Sequence, residues 1–419
     1  MAAKMWYAEP VWQTMLPTMG GEAIKEIYGH WFAPRAIFTG RLGATALSML
    51  VAFMRERRKA FILTDTVVER HARSVAKDFE EASFQTTIWN EAAPEPPVTL
   101  AEKCADAMLK FEPDLIVAVG GGSTIDLAKA AWILYELPGY NLRAVNPTIP
   151  MGLRKKALLA AYPTTSGTGS EVTWASVLTD DSVSPPVKIE VSSAEIVPDF
   201  AVLVPEFTVG MPPKLTAGTG LDALAHSVDA YLTCYDTDIC DALAIKSIEL
   251  VSKFLPRAYK EPNDTEARYR MQLAATIAGL AFGNSQAALT HSLGHAVGKV
   301  FDIHHGVAVA IFIPYSIQYY SRASKKYVQL AKKIGIEAKD ESECLQKLVD
   351  RFKQFLLSFN VPYVLKEHGI TKERWQKNLD DVAKYASEDA CTAASPRPTS
   401  IIDIKKILEY AYEGKDIDF

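Results

Sequence analysis

Asp222, His226, His291, His295 and His305 offer one carboxylate and four imidazoles at spacings that a divalent metal can use. Five of the chain's eight histidines (His226, His291, His295, His304 and His305) fall between positions 226 and 305. Residues four apart share one face of a helix, so Asp222 and His226 can converge on a single ion, and His291 and His295 repeat the spacing on a second helix. His305 follows after a short loop. Mixed oxygen and imidazole donors suit Fe(II) or Zn(II) better than Ca or Mg, which prefer shells of oxygen. A single histidine of this kind is more often a satisfied core residue than a ligand. Two such pairs joined by a third element are hard to obtain by accident.

A second chemistry sits earlier in the chain. Gly120-Gly121-Gly122-Ser123 follows the apolar run Asp114 to Val119 and opens a helical period that continues to about Tyr135. Backbone amides at such a strand-to-helix turn, aided by the helix dipole, can hold a pyrophosphate. A triple glycine alone is a weak signal, and a tight turn without a ligand is the alternative. Asp65, at the end of an earlier apolar run, could accept hydrogen bonds from the adenosine ribose and repel a 2′-phosphate. The cluster from Thr164 to Ser170 adds further small hydrogen-bonding groups. Asp65 precedes Gly120 by 55 residues, whereas the usual dinucleotide fingerprint places the glycines first. A standard Rossmann assignment therefore fails, and another α/β nucleotide-binding arrangement is required.

These groups must be positioned by the elements around them. Lys59 to Asp65, Phe84 to Trp89, Asp114 to Val119 and Leu158 to Tyr162 read as buried strands alternating with helical periods, which implies a parallel sheet. From about Pro212 the pattern becomes helix after helix. Gly210-Met211-Pro212-Pro213 marks the boundary, giving an α/β dinucleotide-binding domain over 1–211 and an all-α metal-binding and substrate domain over 212–419.

At 419 residues two domains are expected. A net charge of -5 offers no general attraction to nucleic acid or anionic lipid, so neither is expected as a partner. The charged runs Arg55 to Lys59 and Arg154 to Lys156 read as solvated helix ends or loops. Five cysteines without CxxC spacing point to a reducing, cytoplasmic location without disulfides. Met1 to Thr14 shows no leader pattern, and the apolar runs near Ala44 to Met54 and Val307 to Pro314 are too short to span a bilayer.

The segments GGGSTIDLAKA, PTTSGTGSEVT, GLDALAHSVDAY, AFGNSQAALTHSLGHAVG and HHG, in this order, resemble the iron-containing (group III) alcohol dehydrogenases, including the alcohol dehydrogenase part of bifunctional aldehyde/alcohol dehydrogenases. The resemblance spans roughly residues 30 to 415. It implies an N-terminal α/β domain binding NAD(P), a helical domain supplying a divalent metal, usually Fe(II), and a site in the cleft between them. Carried over by motif, the metal ligands are Asp222, His226, His291 and His305, with His295 beside the site and His304 a non-ligand. The implied cofactor contacts are Asp65, Gly121, Gly122, Ser123, Thr164, Thr165, Thr168, Thr173 and Lys188. Phe282 and Cys391 match positions lining the substrate pocket in relatives. Trp174 is a further candidate for that wall, with core packing as its alternative. Glu95 stands where the family often has Asn, and Ser395-Pro396-Arg397 replaces the usual Asn-Pro-Arg.

The expected reaction moves a hydride between NAD(H) and a primary alcohol or aldehyde. The ion lowers the pKa of the alcohol hydroxyl so that an alkoxide forms near neutral pH, and His295 relays the proton to solvent. A homo-oligomer is expected. Two alternatives share the architecture. A zinc-dependent glycerol-dehydrogenase-like enzyme usually supplies three protein ligands; the Asp-His-His-His set and Ser123 favour the iron group. A dehydroquinate-synthase-like lyase needs a basic pocket that the sequence around the ligands does not supply.

Overall fold

The computed structural model describes residues 31–39, 43–54, 58–184 and 186–419. Met1 to Thr14 and Arg55 to Arg57 of the first charged run lie outside the described residues. Contacts divide the chain into two compact units, Phe32–Val209 and Gly210–Phe419.

The first unit runs β1 (Ala36–Thr39), α1 (Gly43–Met54), β2 (Lys59–Leu63), α2 (Glu69–Glu81), β3 (Gln85–Trp89), α3 (Val98–Phe111), β4 (Leu115–Gly120), α4 (Gly122–Glu136), β5 (Leu158–Pro163), β6 (Ala175–Asp180), β7 (Val187–Ser192) and β8 (Phe200–Leu203). Six strands form one sheet in the order β1-β8-β5-β4-β2-β3, with every pairing parallel. β6 and β7 form a separate antiparallel hairpin. β4 and β5 are buried along their whole length, as central strands covered on both faces must be, and this is why they read as continuous apolar runs rather than alternating ones. The edge strand β3 keeps Gln85 exposed. α2 buries Ala72, Val75, Ala76 and Phe79, the i, i+3, i+4, i+7 stripe of a helix lying on a sheet.

The strand order creates a switch point. The chain leaves β2 for β3 on one side and leaves β4 for β5 on the other, although β2 and β4 are neighbours. Ligands of open parallel sheets bind where such connections diverge, beyond the carboxyl ends of the strands. Asp65 follows β2, the glycine turn follows β4, and the Thr164 cluster follows β5, so all three lie at that end. Thr64 Oγ1 donates to the Val119 carbonyl at 2.8 Å and the Thr164 amide donates to the Gly120 carbonyl at 2.9 Å, tying the three strand ends together.

Two expectations need correction. β1, β8 and the β6–β7 hairpin were not foreseen; β1 and β8 have four residues each, too few to establish a period. Arg154 is not a solvated loop charge. Its Nε lies 2.8 Å from Asp199 Oδ1, its Nη atoms donate to the Glu195 and Val197 carbonyls, and its guanidinium covers the Trp132 ring. Asp199 is fully buried, and burying a carboxylate requires such a partner. Lys155 and Lys156 are exposed, as read.

The second unit contains α5 (Pro213–Leu232), α6 (Asp238–Lys260), α7 (Thr265–Ser285), α8 (Leu289–Phe301), α9 (His305–Ile311), α10 (Ile313–Tyr320), α11 (Lys326–Lys333), α12 (Glu341–Leu357), α13 (Lys372–Glu388) and α14 (Ile401–Glu413), with no strand among its described residues. Side chains of Thr237, Asp264, Asp340, Thr371 and Ser400 cap five of these helices by accepting from backbone amides. α5, α6 and α7 pack on one another, and α5 is buried from Thr216 to Leu232. The fold is thus a parallel α/β unit followed by a helical one.

Candidate metal centre and cofactor turn

Asp222 and His226 lie one helical turn apart on α5, His291 and His295 one turn apart on α8, and His305 is the first residue of α9. Close backbone approach brings the third element in. A Cβ on Gly306 would stand 2.0 Å from the Gly218 carbonyl oxygen and 2.8 Å from Asp222 Cβ, so only glycine lets α9 begin against α5 at this depth. His304 packs its ring against Gly218 of α5.

Ligand atoms of Asp222, His291 and His305 lie within 4.8 Å of one another. His305 Nε2 is 3.1 Å from Asp222 Oδ1, without hydrogen-bond geometry, and His226 Nδ1 is 3.9 Å from the same oxygen. The His226 ring stacks between His291, at 4.3 Å, and Phe282, at 3.9 Å and 9°. Asp222, His226 and His291 are buried. Asp222 Oδ1, His226 Nδ1 and His291 Nε2 have no hydrogen-bond partner among the described residues. Buried polar atoms are nearly always satisfied, and three orphans in one cluster fit a divalent ion that would ligate them. Burial alone would raise the Asp222 pKa, but the imidazoles of His226, His305 and His291 outweigh it and hold the carboxyl well below its usual range. Burial pushes His226 down to about 3, against the pull of Asp222, and also lowers His305. The carboxylate is therefore ionised and these two imidazoles neutral near pH 7, the protonation states that metal ligation needs.

Two carboxylates that sequence reasoning missed stand behind the histidines. Asp229 Oδ2 lies 2.7 Å from His291 Nδ1 and also accepts from the Ala288 amide at 2.9 Å, which turns the other ring nitrogen, Nε2, away from Asp229. Its signal was present, since Asp229 follows Asp222 at i+7 and His226 at i+3 on the same face of α5. Asp389 Oδ2 lies 2.8 Å from His295 Nδ1, while its Oδ1 accepts from the Cys391 amide at 2.9 Å. Asp389 is 94 positions from His295, and no spacing rule connects them. The His295 ring lies beside that of His305 at 5.1 Å and 24°, and its ligand atoms group with Asp389 and Cys391 rather than with the Asp222 set. Burial raises the Asp389 pKa, but His295 overrides it and the carboxyl is held low.

Phe282 and Cys391 are thus both at this cluster. Trp174 belongs to the first unit, where its ring lies 6.1 Å from Phe32. Ser395 is buried and donates to the Arg397 carbonyl, and Arg397 lies over the Tyr319 ring at 4.0 Å.

In the first unit, Gly121 caps α4, Gly122 begins it and Ser123 follows. A Cβ on Gly122 would meet Thr168 Cγ2 at 2.6 Å, and one on Gly121 would meet Thr165 Cγ2 at 3.2 Å. Gly122 is therefore required by the neighbouring threonine loop itself, and Gly121 fits tightly against it. Asp65 Oδ1 accepts from the Val67 and Val68 amides at 2.7 and 3.0 Å, leaving Oδ2 without a hydrogen bond among the described residues. Thr173 is turned inward: its carbonyl and hydroxyl both accept from Lys129 Nζ, at 3.0 and 3.3 Å. Lys188 Nζ pairs with Glu95 Oε1 at 2.8 Å. Lys129, another residue the sequence reading passed over, is fully buried and also donates to Ser170 Oγ and the Ala175 carbonyl. Burial lowers its pKa to about 8 against the pull of Asp126 and Glu171. It pins the segment after the threonine cluster to α4.

Comparison with known proteins follows the same two-part division. Residues 34–205 match the family described as iron-containing alcohol dehydrogenase, and residues 216–412 match its C-terminal part. The chain is 39% identical to the NADPH-dependent butanol dehydrogenase of Clostridium saccharobutylicum over 81% of this chain and 87% of that protein. It is 32% identical to the NAD-dependent methanol dehydrogenase of Bacillus methanolicus over 91% and 99%. Against the bifunctional aldehyde-alcohol dehydrogenase of Escherichia coli K12 it is 30% identical over 91% of this chain and 46% of that one, so it spans about half of that relative. Among solved structures, an iron-containing alcohol dehydrogenase from Thermococcus thioreducens superposes with TM-score 0.83 at 31% identity over 92% of this chain and all of that one. A 1,3-propanediol oxidoreductase gives 0.85 at 26% identity, with the same coverage of both chains. These likenesses do not favour the glycerol-dehydrogenase-like or dehydroquinate-synthase-like readings.

Proposed function

The chain belongs to the iron-containing alcohol dehydrogenase family, and from that premise we propose that it transfers a hydride between NAD(H) and a primary alcohol or aldehyde, with Asp222, His226, His291 and His305 holding a divalent ion. The observation that carries this reading is the set of three buried atoms, Asp222 Oδ1, His226 Nδ1 and His291 Nε2, that have no hydrogen-bond partner among the described residues. Fe(II) is the family's metal, and Zn(II) fits the same donors.

When bound, the ion supplies Lewis-acid charge that favours the ionised alcohol and polarises an aldehyde carbonyl. The chain's own residues do the rest. Asp229 fixes the orientation of His291. Phe282 covers one face of His226 and keeps water from it. In oxidation the carbinol carbon gives its hydride to NAD and the hydroxyl gives its proton to His295 Nε2. The products are an aldehyde, NADH and an imidazolium that returns the proton to water. Reduction runs these steps backwards. The amides of Gly121 and Gly122, at the start of α4, receive the cofactor pyrophosphate, with Ser123, Thr164, Thr165 and Thr168 around it. Thr173, turned inward onto Lys129, supports the cofactor turn from behind, Lys188 acts at the rim, and residues 1–211 and 212–419 divide the cofactor and metal roles. Cys391 stands with Phe282 at the substrate wall of the metal-binding unit. No helix among the described residues is long and apolar enough to cross a membrane, and none of the five cysteines is in a disulfide, which supports a reducing compartment such as the cytoplasm. The working form is a homo-oligomer.

The named relatives include one NADPH-dependent and one NAD-dependent enzyme, so the proposed preference of this chain for NAD(H) rests on Asp65. Its carboxylate would accept from the ribose 2′-hydroxyl and repel a 2′-phosphate. A charge-assisted hydrogen bond is worth about 1.5–3 kcal/mol, so Asp65→Gly should narrow the preference for NADH over NADPH by roughly 10- to 100-fold. Equal kcat/KM for the two cofactors in the unaltered enzyme would show that Asp65 does not select. The activity itself is tested with metal-reconstituted protein and a panel of aldehydes and alcohols, following nicotinamide absorbance. Turnover with at least one primary alcohol or aldehyde is expected, and its absence across the panel would sink the reading.

A further inference from the structure

The His295 ring is held by a carboxylate that belongs to none of the motifs above. Asp389 lies between α13 and a short 3-10 turn, Ala390–Ala394, and its two oxygens do different things. Oδ1 accepts from the Cys391 amide at 2.9 Å and so caps the turn. Oδ2 lies 2.8 Å from His295 Nδ1. The segment is tied to α8 a second time, where the hydroxyls of Thr392 and Ser292 share a hydrogen bond of 2.7 Å, and Ser292 is the residue after His291. The same design occurs on the neighbouring turn of α8, where Asp229 Oδ2 faces His291 Nδ1 at 2.7 Å. Two adjacent histidines on one helix face are therefore each backed by a carboxylate at Nδ1.

We propose that Asp389 is a positioning residue for the reaction: by accepting from Nδ1–H it fixes the His295 ring and its tautomer so that Nε2 is the nitrogen that takes and returns the substrate proton. An ionised carboxylate can only accept. A neutral imidazole facing it must carry its hydrogen on Nδ1, which leaves the lone pair on Nε2. After the proton arrives the ring bears hydrogen on both nitrogens, and the carboxylate still faces a donor. The pair thus suits both forms that the proton transfer requires. This inference rests on the reading that His295 carries the proton.

Asp389→Asn separates capping from positioning. Asparagine is as good a cap as aspartate, so its carbonyl oxygen can keep the Cys391 amide while its NH2 group replaces the oxygen opposite Nδ1. A donor there forces the hydrogen onto Nε2, the wrong nitrogen. In zinc-loaded protein with labelled histidine, the ring 15N shifts should place the hydrogen on Nδ1 in the unaltered chain and on Nε2 in Asp389→Asn. Metal content, melting temperature and KM for NADH should stay unchanged while kcat falls about 10²-fold or more. The double variant Asp389→Asn/His295→Ala should be no slower than His295→Ala alone. Unchanged kcat in Asp389→Asn, or losses that add in the double variant, would overturn the role given to Asp389. A normal kcat in His295→Ala would instead overturn the proton-carrier reading, with the tautomer measurement still reporting whether Asp389 sets the ring.

Discussion

Replacing His291 with alanine is expected to remove the bound ion and reduce turnover to that of metal-free protein. Its Nε2 is one of the orphaned atoms, and its Nδ1 is the partner of Asp229, which is buried. The substitution therefore has two consequences. Ion binding loses an imidazole, and the Asp229 carboxylate keeps only the Ala288 amide as a hydrogen-bond donor among the described residues, a defect that should cost about 1–3 kcal/mol of stability. His305→Ala separates the two. The His305 side chain is 40% exposed and begins a helix, so its loss should remove the ion while leaving the melting temperature of the metal-free protein nearly unchanged. Asp229→Ala should fall between, weakening the ion by about 10- to 100-fold through a misdirected His291. Elemental analysis and thermal melting of the three variants together check this ordering. Ion retention in His305→Ala equal to the unaltered chain would remove His305 from the ligand set.

The second large effect concerns His295. If it bound the ion together with Asp222, His226, His291 and His305, the site would be five-coordinate with little room for substrate. The geometry groups it elsewhere, with Asp389 and Cys391. His295→Ala should therefore keep near-stoichiometric metal while kcat falls by about 10² to 10⁴, the range for a missing acid–base group. The pH dependence of the rate should also flatten. Metal loss as complete as in His291→Ala would place His295 among the ligands and displace one of the other four.

Much of this was legible because the informative residues are close in sequence. Asp222 and His226, like His291 and His295, are i,i+4 pairs on single helices, and helical geometry alone puts each pair on one face. Central strands such as β4 and β5 were readable because a strand buried on both faces must be apolar throughout. What escaped was set by contacts between distant segments. Asp389 meets His295 across 94 positions, and Lys129 reaches Thr173 across 44. Arg154 looked like a surface charge because nothing in its neighbourhood announces the buried Asp199 that holds it. β1 and β8 are individually too short to stand out, and they form because the neighbouring strand ends are there to pair with. The glycine turn was legible for a reason that the structure extends: a Cβ on Gly122 would strike Thr168 and one on Gly121 would crowd Thr165 before any cofactor is considered.

The most direct test is to strip the protein with a chelator, add Fe(II) or Zn(II) in steps, and measure bound metal and NADH oxidation by an aldehyde on the same samples. Activity is predicted to be absent without metal and to rise in step with occupancy to a plateau near one ion per chain. Full activity in protein that elemental analysis shows to contain no metal would contradict a catalytic ion at Asp222, His226, His291 and His305.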